Sequence, residues 1–70
     1  MVEIEKTKVG KIKKIRIGKK EYDEIKEICE KNIMHYVEIE ITRKYNLKTL
    51  TEGHKLMMAV TNNYKYLEVV

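Results

Sequence analysis

The sequence predicts an α+β domain: two helices packed on one face of a four- to five-stranded mixed sheet, in the order β-β-α-β-α-β. Three patterns predict it. Apolar and polar residues alternate at Val2-Glu3-Ile4-Glu5 and again from Ile33 to Ile41, as in half-buried strands. Tyr22, Ile25, Ile28, Cys29 and Asn32 recur at spacings of three and four, which is one helical stripe. Leu50, Gly53, Leu56, Met57 and Val60 make a second. Strand–helix–strand units of this length favour right-handed crossovers, with the helices stacked on one sheet face.

The first strand is Val2 to Glu5, and Val9-Gly10-Lys11 is the reversal, because glycine accepts the positive φ of a hairpin turn. The return strand runs from Lys11 to Ile17, with Ile15 and Ile17 on one face and Lys14 and Arg16 on the other. Ile12 has the wrong parity, so a bulge near Lys13-Lys14 or a late strand start is expected. Gly18 ends the strand. In the helix that follows, Glu21, Asp23 and Glu24 sit in the first turn, where carboxylates complement the macrodipole. Glu27 and Lys31 form an i,i+4 pair, and Asn32 can take a left-handed stop that leaves Ile33 packing back on the helix. The next strand points Ile33, His35, Val37, Ile39 and Ile41 one way and Met34, Tyr36, Glu38 and Glu40 the other. After the polar link Thr42 to Asn46 a second helix starts, capped by Thr49 with Glu52 or by Asn46. Thr61-Asn62-Asn63 ends it, and Tyr64 to Val70 reads as the last strand.

At 70 residues the chain is a single domain, 1–70, and buries only about 60% of the surface its unfolded form exposes. Residues 2–12 form an additional N-terminal hairpin on a body of residues 13–70. Nine Ile with no Phe, Trp or Pro describe an aliphatic core. No apolar run approaches the roughly 20 residues of a membrane span. The N-terminal segment lacks the pattern of a secretory signal, and one cysteine cannot build a disulfide framework. The expectation is a soluble, cytoplasmic protein without membrane contact. Ser and Gln are absent while Lys, Ile and Glu dominate, as in thermophile proteins, although an A+T-rich genome gives a similar bias.

Charge is segregated along the chain: +6 over residues 1–20, −5 over 21–40 and +3 over 41–70. That pattern puts a basic and an acidic surface on one small body. Catalytic equipment is not visible. Cys29 lies on an apolar stripe with no base near it in sequence, and His35 and His54 have no third ligand at metal spacing. The glycines at 10, 18 and 53 stand alone, so there is no nucleotide-binding glycine loop. The expectation is no enzyme activity, no cofactor, no metal and no small-molecule substrate. The basic residues are more informative. Lys8, Lys11, Lys13, Lys14, Arg16, Lys19 and Lys20 cluster on the hairpin and the loop after it, and Arg43-Lys44 supplies a second basic loop; the expected contacts are Lys13, Lys14, Arg16, Lys19, Lys20, Arg43 and Lys44. With a normal crossover, both loops leave the same sheet edge at strand C-termini, where they can grip phosphates together.

At Ile15-Arg16-Ile17-Gly18-Lys19-Lys20 the chain resembles the Alba family of archaeal chromatin proteins, whose first strand ends in an Ile-Gly-Lys-Lys loop. The likeness continues by element order through Val37 to Ile41, Arg43-Lys44, the helix from about Leu47, and Tyr66 to Val69. It implies a β-α-β-α-β body, a homodimer, and binding of duplex DNA or RNA with little sequence preference, nucleoid-associated if the ligand is DNA. Lys19 and Lys20 are the carried-over contacts, and Arg43 and Lys44 stand for the second basic loop. Glu21 departs from the family's proline, Tyr45-Asn46 from its glycine–arginine, and the C-terminal hairpin arm is missing. Ile17 to Lys20 followed by Ile25 to Ile28 also resembles the clamp loop and helix of a KH domain, without its second glycine. The expected function is therefore non-catalytic nucleic-acid binding. The alternative is a protein-interaction or regulatory module whose acidic first-helix face meets a basic partner. Met34, Tyr36, Met57, Met58 and Tyr66 are apolar surface to hide, which also points to a homodimer.

Overall fold

The computed structural model describes residues 1–62 and 65–70, and only the backbone of Met34. Two strands open the chain, β1 (Val2–Lys6) and β2 (Ile12–Ile17), followed by three helices, α1 (Lys19–Lys31), α2 (Met34–Lys44) and α3 (Leu50–Asn62), and by β3 (Leu67–Val69). The sheet order is β1-β2-β3, with β1 antiparallel and β3 parallel to the central β2. This overturns the expected β-β-α-β-α-β order and its four to five strands. The Alba-like body goes with it, as do the archaeal, chromatin and homodimer attributes that the likeness implied. The expected beginning of the last strand at Tyr64 lies outside the described residues.

The hairpin forms as its residues dictate. Gly10 takes φ +84°, and the register slips between Glu5 and Lys6, which pair with Lys14 and Ile12 and leave Lys13 as the extra residue. The expected bulge is therefore at Lys13. Beyond it Ile15 and Ile17 point into the core with no exposed surface.

The segment from Ile33 to Ile41, expected as a strand, is largely α2. Its apolar residues satisfy two periods at once: Ile33, Val37, Ile41 and Tyr45 are four apart as well as on one parity. The helix buries Val37 and Ile41 and turns Tyr36 outward, whereas a strand would have buried His35 and Ile39 with them. Packing against α1 and α3 offsets the weak helix preference of its β-branched residues. The link before it is also different from expectation. Asn32 is extended at φ −127°, not left-handed, and Ile33 remains 67% exposed.

The core consists of Ile15, Ile17, Ile25, Val37, Ile41, Leu56, Met57, Ala59 and Val60, so every long element except β1 and β3 contributes fully buried side chains. Each large one contributes about 1.5–3 kcal/mol relative to exposure. Met57 belongs to this core rather than to a dimer face. Leu50, expected inside, is 54% exposed. At the α2–α3 crossing a side chain on Gly53 would strike the Thr42 hydroxyl and lie 2.9 Å from the Glu38 carbonyl. A glycine in a helix costs about 1 kcal/mol against alanine; here it lets two backbones approach. Thr49 caps α3 by accepting from the Glu52 N–H at 3.2 Å, while Glu52 Oε1 accepts from the Lys48 N–H at 2.9 Å, one residue before the usual return bond. Asn46, the competing cap, instead takes φ +54° just after α2.

Candidate nucleic-acid interface

Seven cations are expected to meet phosphate, and they fall on three elements. Lys13, Lys14 and Arg16 are on β2, Lys19 and Lys20 open α1, and Arg43 and Lys44 close α2. The second basic loop is therefore a helix end rather than a strand end, where its charges complement the macrodipole. The end of α2 packs on α1 through an acid rather than on the basic segment itself: the Tyr45 hydroxyl donates to Glu24 of α1 at 2.8 Å, and Lys44 lies 3.9 Å from the same carboxylate. Burial, then that bond to Glu24, pushes the Tyr45 phenol well above its ordinary range.

Most of these cations already have an anion. On the outer face of the sheet Glu3, Arg16 and Glu68 stand directly opposite one another across three strands. Arg16 Nε donates to Glu68 at 2.8 Å and its guanidinium lies 3.7 Å from Glu3, while Lys14 reaches Glu68 at 2.9 Å. Lys14 and then Arg16 hold the Glu68 carboxyl below its usual range. Lys19 pairs with Asp23 at 2.8 Å. Lys13, Lys20 and Arg43 are exposed with no ion pair among the described residues.

The Gly18 loop is also occupied. The Gly18 N–H donates to the Met1 carbonyl and the Lys19 N–H to that of Val70, at 3.1 and 3.0 Å. The N-terminal ammonium sits 2.8 Å from Glu21 and is the main reason that carboxyl is lowered. The backbone donors that would cradle a phosphate are spent on the chain itself. The first-helix acids are similarly engaged: Glu21 with Met1, Asp23 with Lys19, Glu24 with Tyr45, and Glu27 with Lys31 at 2.6 Å.

A second group of cations lies at the opposite end of β2. Lys6, at the end of β1, is ion-paired with the buried Glu52 in the first turn of α3, so the hairpin ends beside the start of that helix. Lys6 holds the Glu52 carboxyl below its ordinary value. Lys48 shares a 320 Å³ depression with Lys6 and Glu52. At the other end of α3 the chain re-enters the sheet, with the Ile15 N–H donating to the Tyr66 carbonyl at 3.1 Å. Lys65 there shares a 400 Å³ depression with Lys13, Lys14 and Glu68. Helix α3 therefore starts beside the end of β1, and the chain after it returns to the sheet beside β2. Lys8 and Lys11 on the turn, Lys13, Lys48, Lys55 and Lys65 are all exposed, and none has an ion pair among the described residues. Of these six, sequence reasoning placed Lys8, Lys11 and Lys13 in its basic cluster and named only Lys13 as a contact; Lys48, Lys55 and Lys65 come from later in the chain.

Other chemistry is sparse. Cys29 is half-buried, and burial pushes its thiol up, away from the thiolate a nucleophile needs. His54 Nδ1 lies 2.6 Å from Glu38 across the α2–α3 crossing, and His35, expected inward, is exposed edge-on to Tyr36. Among the described residues no three His, Cys, Asp or Glu are placed to hold a metal, and no helix is long and apolar enough to cross a membrane. No family model, curated protein or solved structure matches this chain.

Proposed function

We propose that this chain is a non-catalytic, cytoplasmic nucleic-acid-binding protein that engages phosphates at the end formed by the β1–β2 turn and α3. The Gly18 loop is not the centre of that surface. One observation carries the reading: these six exposed lysines have no ion pair among the described residues, while Lys14, Arg16 and Lys19 do. An unpaired lysine can exchange its loose counterions for phosphate and gain the entropy of their release. A paired one must first give up its carboxylate. Lys13 is common to the expected set and to this one.

The experiment is a gel-shift titration over a salt series with duplex DNA, duplex RNA and single strands. Retention at low salt, with log affinity falling linearly against log salt, supports the reading. No retention of any nucleic acid at low salt removes it.

A protein-interaction role has one observation in its favour, on a different surface from the first-helix acids, of which Glu21, Asp23, Glu24 and Glu27 are internally paired. Tyr36 is 58% exposed beside Ile33 on α2, above a shallow 630 Å³ depression that also touches Ile39 and Arg43. Crosslinking at a position beside Tyr36 during growth would capture a specific protein if this reading holds.

A further inference from the structure

The proposed function says which end of the molecule meets nucleic acid; the exposed stripe of α3 says which form of it. Resting on that reading, we infer that α3 lies in the major groove of duplex B-form DNA, with the β1–β2 turn against the flanking backbone.

Helix α3 buries Glu52, Gly53, Leu56, Met57, Ala59 and Val60 on its inner side. The exposed residues are Leu50, Thr51, Lys55, Thr61 and Asn62, of which Thr51, Lys55 and Asn62, four and seven apart, form one stripe along the helix. It carries no acidic residue. By contrast the exposed surface of α1 carries Asp23, Glu27 and Glu30. Lysine and asparagine are side chains that read guanine and adenine edges, and the threonine methyl fits the thymine methyl. A helix is about 10–12 Å across and the B-form major groove about 12 Å wide, so the element fits. From Thr51 to Asn62 the stripe spans about 16 Å, or close to five base pairs.

The hairpin supplies the second contact. Lys6 holds it to the first turn of α3 through Glu52, so the turn with Lys8 and Lys11 stands beside the helix rather than across the molecule. Val9 at its tip is 88% exposed, and Gly10 holds the turn shape. A helix in the groove with lysines alongside is complementary to duplex DNA in charge and in shape. An A-form RNA duplex has a major groove too narrow and deep for a helix to enter.

Three probes test this with the intact chain at one salt concentration: a DNA duplex, the same duplex with its major groove filled by glucosylated hydroxymethylcytosines, and an RNA duplex of the same sequence. The inference predicts that glucosylation and the switch to RNA each weaken binding about tenfold or more. It also predicts that Lys55→Ala with Asn62→Ala weakens binding to the plain duplex and narrows its advantage over the filled one. These two side chains are exposed, and a melting curve confirms that the variant is folded. Equal affinity for the three probes overturns the inference while leaving nucleic-acid binding in place. Failure to bind any of them at low salt overturns both.

Discussion

At the end of the molecule where β2 runs into α1, cations and carboxylates are largely matched; around the hairpin turn and the start of α3, Lys6 is paired with Glu52 but the other lysines have no ion pair among the described residues. Arg16 and Lys14 share Glu68, Lys19 holds Asp23, and the N-terminal ammonium holds Glu21. Lys8, Lys11, Lys48 and Lys55 face solvent with no such partner among the described residues. Both ends are basic by residue count. The difference teaches that a lysine's availability depends on where its nearest carboxylate folds. For Arg16 that carboxylate is 52 residues away in sequence.

The largest effect expected is at the α2–α3 crossing. Gly53→Val should destabilise the fold by about 3 kcal/mol, since its side chain would meet Thr42 and a backbone carbonyl that cannot rotate away. Gly53→Ala should cost less, because alanine recovers helix preference. Urea unfolding measures both, and an alanine variant as stable as the parent would break the claim of close approach.

Next comes Glu52→Gln, which removes the partner of Lys6 and weakens the bond from the Lys48 N–H. The loss should be about 1–2 kcal/mol at neutral pH. Because Lys6 lowers the Glu52 pKa on folding, its contribution is complete above the ordinary carboxylate value of 4.5. It is lost as the pH falls through the lowered folded value. Thermal melts from neutral to acid pH should therefore show the variant and parent converging in acid; a constant gap would contradict the pairing.

Tyr45→Phe tests the other end. It removes the hydroxyl that joins α2 to Glu24 of α1, for a loss of about 1 kcal/mol. Smallest is Glu68→Gln, on the exposed outer face of the sheet, which should leave the melting temperature nearly unchanged. It should nonetheless release Lys14 and Arg16 and so raise affinity for duplex DNA slightly, sharpening the distinction between paired and unpaired cations.

The hairpin, its turn at Gly10, the bulge, α1 and α3 were all legible, because each rests on local residues with one reading. The segment from Ile33 to Ile41 was not. Its residues on one parity include Ile33, Val37 and Ile41, which are also four apart, so the same pattern serves a helix once α1 and α3 are there to pack against. The topology then followed the wrong element. Residues expected at strand ends became helix ends, and the last strand was left pairing with β2 alone. The candidate site failed for a related reason. Charge totals along the chain place lysines in sequence, but Glu68 neutralises Lys14 and Arg16 only after β3 has been laid beside β2. Likewise, Lys65 joins Lys13 only because β3 pairs with β2. Thr49 with Glu52 did mark the start of α3 correctly, as capping is local.

The most direct test of the account is the salt dependence of duplex DNA binding for two double charge reversals, each compared with the parent. Lys8→Glu with Lys55→Glu removes two unpaired lysines; Lys14→Glu with Lys19→Glu removes two paired ones. Each lost phosphate contact lowers the logarithmic slope by about 0.9. The account predicts a slope shallower by nearly two for the first variant, with a large loss of affinity, and a slope close to the parent's for the second. The reverse result, with Lys14 and Lys19 carrying the slope, would contradict it.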